Sequence, residues 1–243
     1  MIGQWTLDPV LLAALALVLA AGCAATAGSA DRRRRFAWGW ALAVILFVSP
    51  LCAWSSALFS VRVVHHLVLT GLVAPLLAWA APARQPGRPA GGLFAWAAAH
   101  IALMWIWHAP PAYAAALSHG GLFWAMQLSL LGSAVGFWHA TREAPLPAAI
   151  GVLVLAMFGT GMLGAIIALA RQPLYAPHLA STAAWGLTPL ADQQLAGLIM
   201  WAPGALPYPV VALWRLAREL RALPPAPALR RRRPSPAHRG AGQ

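Results

Sequence analysis

Apolar runs about as long as a bilayer is thick recur along this chain, and they restrict the fold more than any motif in it. A helix needs roughly 20 apolar residues to cross about 30 Å of hydrocarbon. Runs of that kind fall at 7–27, 36–54, 60–81, 93–109, 122–139, 148–170 and 194–216. Within lipid each segment must satisfy its own backbone N–H and C=O groups, which leaves helices as the expected solution. The expectation is an all-α polytopic membrane protein, a seven-transmembrane-helix bundle over residues 1–216. Only 9% of residues are charged and 60% are hydrophobic, whereas soluble domains carry about 25% charged residues. Pro203, Pro207 and Pro209 are expected to kink the seventh span. The Pro/Gly-rich stretch 84–92 reads as a turn, and the Arg/Pro-rich segment 217–243 as a disordered cytoplasmic tail.

Charge sets the orientation. All 17 basic residues are arginine. With seven spans, Arg32–Arg35, Arg84, Arg88, Arg142, Arg215, Arg218, Arg221, Arg230–Arg233 and Arg239 share one side, leaving only Arg62 and Arg171 on the other. Positive charge stays cytoplasmic, so the N-terminus is expected outside and the C-terminus cytoplasmic. The first span has no positive start and is followed by the Arg32–Arg35 cluster, which favours an anchor over a cleaved signal. The arginines are spread over loops and a tail, a pattern that fits lipid headgroups better than a nucleic-acid face. Cys23 and Cys52 lie in apolar runs without metal or redox spacing.

This topology sorts the ionisable residues by depth. His65, His66, His100, His108, His119 and His178 open toward the outer face; only His139 and His238 fall on the cytoplasmic side. Asp192, one of five acidic residues, lies at the outer mouth of the last span, just past the Thr188-Pro189 helix start. An acid there is either a dipole-favoured helix cap or a functional group. His100, Met104 and His108 recur every four residues and share one helical stripe. Two imidazoles and a thioether suit copper, but Met104 as core packing, His100 bonded to a neighbouring helix and His108 at an interface among tryptophans explain the stripe more simply. Adjacent residues point about 100° apart on a helix, so of His65 and His66 only one is expected inside, and His66 has the more apolar flank. His119 and His178 are expected in solvent unless their loops fold over the mouth. No nucleophile elbow, phosphate loop, haem-attachment site or carboxylate pair is present, so the chain is not expected to be an enzyme.

The 187–204 segment, with its LxxxxDQQLAGLIMWxPG pattern, resembles the multi-span CtaG family of cytochrome c oxidase assembly factors. His66-Leu67, Val73-Ala-Pro75, Trp107-His108-Ala-Pro110, Tyr113, Gly136-Phe-Trp138, Gly164 and Pro173-Leu-Tyr175 extend the likeness over about residues 60–215. The resemblance implies a multi-pass protein of the bacterial inner (plasma) membrane. It implies partnership with oxidase subunits and the binding or delivery of copper at the periplasmic face. The candidate metal ligands are His66, His108 and Asp192, followed by His100, Met104 and Met126. The chain departs from the family at Arg62, where a histidine is common, and at Met126-Gln127, where a Glu-His pair is common. Met126 retains a soft donor suited to Cu(I). A copper or small-solute transporter, or a metal-free scaffold for oxidase subunits, are the alternative functions.

Overall fold

Helix caps and prolines divide the chain into its elements. The computed structural model describes residues 5–82 and 92–222, so most of the expected 84–92 turn and residues 223–243 of the expected tail, with Arg230–Arg233 and His238, lie outside the described residues, while residues 217–222, expected as disordered, continue the last helix. Asp8 accepts from the N–H groups of Val10 and Leu11 and starts α1 (Pro9–Thr26). Ser29 caps α2 (Ala30–Val48). Ser49-Pro50 then turns the chain by 52° into α3 (Leu51–Ala57), so the run expected as one straight span is a bent pair. A 22-residue helix follows, α4 (Phe59–Val68) and α5 (Ala74–Ala80) joined by a π turn at Leu69–Val73. The remaining helices are α6 (Leu93–His108), α7 (Pro110–Ser118), α8 (Gly120–Glu143), α9 (Leu146–Leu169), α10 (Pro189–Trp201) and α11 (Pro207–Ala222). The described residues contain no strand.

Five helical segments are long and apolar enough to cross a membrane, and the bent α2–α3 pair makes a sixth. The apolar α6 has 16 residues, about 24 Å of helix at 1.5 Å per residue. As its prolines predict, the last segment breaks, with a 3-10 turn at Pro203–Ala205 between α10 and α11.

Proline also accounts for the π turn. Within it, the Ala74 N–H reaches back five residues to the Leu69 carbonyl. The next donor in that register would be residue 75, which is a proline and has none. Trp138 of α8 takes over, its indole N–H donating to the Thr70 carbonyl at 2.7 Å. Trp138→Phe keeps the ring but strands that buried carbonyl, and should cost about 1–3 kcal/mol in an unfolding titration of the detergent-solubilised protein.

Arginines close the helix ends at one end of the bundle. Arg32 Nε donates to the Ala80 carbonyl at 2.7 Å, and Arg35 reaches the Trp79 carbonyl at 3.4 Å. Arg142 reaches the Ala78 and Ala81 carbonyls, while Arg215 donates to Thr141 and Ala144. C-terminal carbonyls carry partial negative charge, so these contacts satisfy orphan acceptors and the helix dipole together. Arg32, Arg35, Arg142 and Arg215, four of the arginines that charge counting assigns to one side, thus share one end.

Candidate functional site

At the opposite end, α4 begins without a cap of its own. Leu58 precedes it and has no side-chain acceptor. Asp192, fully buried on α10, supplies one from 133 residues away. Its Oδ2 accepts the Phe59 N–H at 2.7 Å, and its Oδ1 accepts the Ser60 N–H at 3.2 Å and the Ser60 hydroxyl at 2.5 Å. An anion at a helix N-terminus is favoured by orphan N–H groups and by the dipole. Asp192 is therefore a cap for a neighbouring helix, with both oxygens engaged.

About two turns inward from that cap, the structure brings two of the expected ligands together. His66 on α4 and His108 at the end of α6 are both buried, with ring centroids 5.4 Å apart and planes at 85°. His108 Nδ1 lies 2.7 Å from the Met104 carbonyl. A carbonyl can only accept, so Nδ1 carries the proton and Nε2 presents its lone pair. That Nε2 is buried without a partner, as are both ring nitrogens of His66. Gln127 approaches His66 closely enough to interact with its imidazole, yet none of these side-chain atoms reaches good hydrogen-bond geometry. Met104 and Met126 are buried in the surrounding apolar cluster together with Met200.

The other candidates separate. His100 lies elsewhere in the core, stacked on Phe137 at 5.2 Å, with Nε2 3.1 Å from the Tyr208 hydroxyl. The neighbouring-helix explanation thus accounts for His100, and the stripe's two imidazoles serve different surroundings. Among the described residues no group of three His, Cys, Asp or Glu side chains is arranged to hold a metal ion. His65 corrects an expectation: it is buried as completely as His66, because α2 covers that flank with Phe47, whose ring meets it edge-on at 5.3 Å. His119 is exposed, as expected.

Three features of the site escaped the sequence. Arg62 is fully buried, its Nε bonded to the Ser55 carbonyl at 3.0 Å and its Nη2 to the Ser56 hydroxyl at 3.3 Å. Tyr175 donates to the His108 carbonyl at 2.8 Å and stacks on Phe59 at 3.8 Å between centroids, roofing the imidazole pair. Gln193 pins the start of the same loop, accepting the Leu174 N–H at 2.6 Å and donating to the Gln172 carbonyl at 3.2 Å. Hydroxyls and amides of this kind have no periodicity that would announce them.

His178 completes the roof, since the loop between α9 and α10 does fold over the mouth. Its Nδ1 donates to the Ala57 carbonyl at 3.2 Å, which leaves Nε2 to accept the Tyr113 hydroxyl at 2.7 Å. Burial lowers its pKa from 6.5, and Arg62 pushes the same way against the Ala57 carbonyl and Asp192. Folding thus favours neutral His178, and the unfolded loop binds the proton more readily. The stabilisation is present above pH 6.5 and is lost as the pH falls through the folded-state value. Hydrogen-exchange protection of residues 174–182 should accordingly drop on acidification, and His178→Gln should flatten that response.

No curated protein and no solved structure matches the chain. The family model described as cytochrome c oxidase caa3 assembly factor (Caa3_CtaG) matches residues 11–99 and 93–222. With a buried imidazole pair under an aromatic roof and a match covering nearly every helix, the chain belongs to the cytochrome c oxidase caa3 assembly factor family.

Proposed function

We propose that the protein crosses the bacterial inner membrane seven times, with its N-terminus outside, and assists oxidase assembly by capturing Cu(I) at the periplasmic end of its bundle. The seven crossings are the five long segments, the bent α2–α3 pair and the short α6. One observation carries the copper reading: the ring nitrogens of His66 and the Nε2 of His108 are buried 5.4 Å from ring to ring without hydrogen-bond partners. Buried polar atoms are nearly always paired, and an unpaired lone pair calls for a ligand. Two imidazole nitrogens can share one ion at about 2 Å from each. Soft Cu(I) accepts such a neutral site with thioethers nearby, where magnesium or calcium would require oxygen donors. His66 and His108 would hold the ion, and the Tyr175–Phe59 roof would shield it until an oxidase subunit receives it.

The test is anaerobic Cu(I) titration of the purified protein. Wild type should bind about one ion per chain, and His66→Ala with His108→Ala should bind none. Equal stoichiometry in the double variant would remove the proposal. A metal-free scaffold is the second reading, favoured by the full engagement of Asp192 with α4. It predicts that the double variant still supports oxidase assembly with normal copper content. Copper uptake into vesicles would instead indicate a transporter.

A further inference from the structure

The buried guanidinium beside the imidazole pair has no place in the reading above. Arg62 lies one helical turn before His66, so the two share a face of α4. It is fully buried, and its Nη1 has no hydrogen-bond partner. No described carboxylate lies within ion-pair distance of it. The Ser55 carbonyl, the Ser56 hydroxyl and the nearby Tyr113 hydroxyl, all uncharged, hold it in position without neutralising it. Phe123 covers it at 5.2 Å. Tyr113 and His178, which flank the pair, lie within reach of its charge and of the buried Asp192 carboxylate alike. A charge left in an apolar interior at such cost is felt strongly by whatever binds next to it.

We propose that Arg62 is the valence filter of the site, a fixed positive charge that admits monovalent Cu(I) and rejects divalent ions. This rests on His66 and His108 receiving a metal. A monovalent ion meets the guanidinium repulsion once, and a divalent ion meets it twice. One further unit charge at roughly 8 Å, in surroundings of effective permittivity near 20, changes affinity by about 30-fold. The penalty comes on top of ligand preference, and it opposes Zn(II) and Cu(II), which otherwise bind imidazole well. Arg62 need not touch the ion; it acts through space as a specificity-determining residue.

The experiment compares Ag(I), a redox-stable monovalent soft ion, with Co(II), read by its visible absorption, on purified wild type, Arg62→Gln and Arg62→Met. Glutamine retains a donor for the Ser55 carbonyl and is the variant better able to fold. Wild type should bind Ag(I) and show no Co(II) bands attributable to His66 and His108. Arg62→Gln should gain such bands and raise the Co(II)-to-Ag(I) affinity ratio by about 30-fold. Co(II) binding to the wild-type pair as tight as Ag(I) binding would overturn the filter without recourse to any variant. An unchanged ratio in Arg62→Gln would overturn it while leaving the metal site intact. Failure of wild type to bind either ion would instead overturn the metal site itself.

Discussion

Asp192→Ala is expected to lower stability by about 3–5 kcal/mol, because it strands two backbone N–H groups and a hydroxyl at the buried start of α4. The comparison that gives the number meaning is Thr188→Ala. Thr188 caps its own helix, accepting the Ala191 N–H at 3.1 Å at an exposed position. Its loss should cost only about 0.5–1 kcal/mol, since water replaces the acceptor. Asp192→Asn should fall between the two, because the amide keeps one acceptor while its NH₂ group confronts donors. Denaturant titration in detergent, followed by tryptophan fluorescence, measures all three. The asparagine variant also separates cap from ligand. If it folds and still binds Cu(I) at wild-type stoichiometry, the carboxylate serves α4 alone; loss of the ion in a folded variant would restore Asp192 as a ligand.

That ambiguity shows where sequence reasoning reaches its limit. Apolar length located most of the helices, because lipid imposes the same requirement on every span, but it started α2 six residues late, ended α11 six residues early and missed the short α7. Pro203 and Pro207 announced the break before α11, whereas Ser49-Pro50, equally a proline in an apolar run, passed as part of a straight span. Asp192 was recognisable as a helix cap or a functional group, but not as the cap of a helix 133 residues away, since a cap across helices leaves no spacing in the chain. His65 was assigned outward from the 100° rotation between neighbours, and that geometry holds; what it lacked was α2 packing on the second flank. Arg62 stood out only as a departure from a histidine. Its burial depends on Ser55, Ser56 and Phe123, which come together only in the folded bundle. The His66–His108 pairing joins helices α4 and α6 in the same way.

Gly197→Ala is expected to cost about 4 kcal/mol or more, enough to deplete the folded protein from membranes. A Cβ at Gly197 would sit 2.3 Å from the Ala168 nitrogen and 2.7 Å from the Gly164 carbonyl oxygen. Gly164 is reciprocal, its added Cβ falling 2.7 Å from the Trp201 nitrogen. All of these are backbone atoms, which cannot rotate aside as a side-chain end can. α9 and α10 therefore meet backbone to backbone, the close approach that small residues allow in membranes. Gly161→Ala is the matched control on the facing helix α9: its Cβ would meet only Trp201 Cδ1 at 3.7 Å, an ordinary contact. Gly151 faces open space, and alanine there should stabilise α9 by about 0.5–1 kcal/mol through helix propensity. Quantifying folded protein in isolated membranes for the three variants tests the ranking, and equal accumulation of Gly197→Ala and Gly161→Ala would contradict it. The consequence reaches the site through one rigid element. α10 carries Asp192 to the start of α4, and α4 carries His66 toward His108. Forcing α10 away from α9 should draw the cap from Phe59 and Ser60 before any imidazole is touched. Any Gly197→Ala protein that survives should therefore lose protection first at the N–H groups of residues 59 and 60.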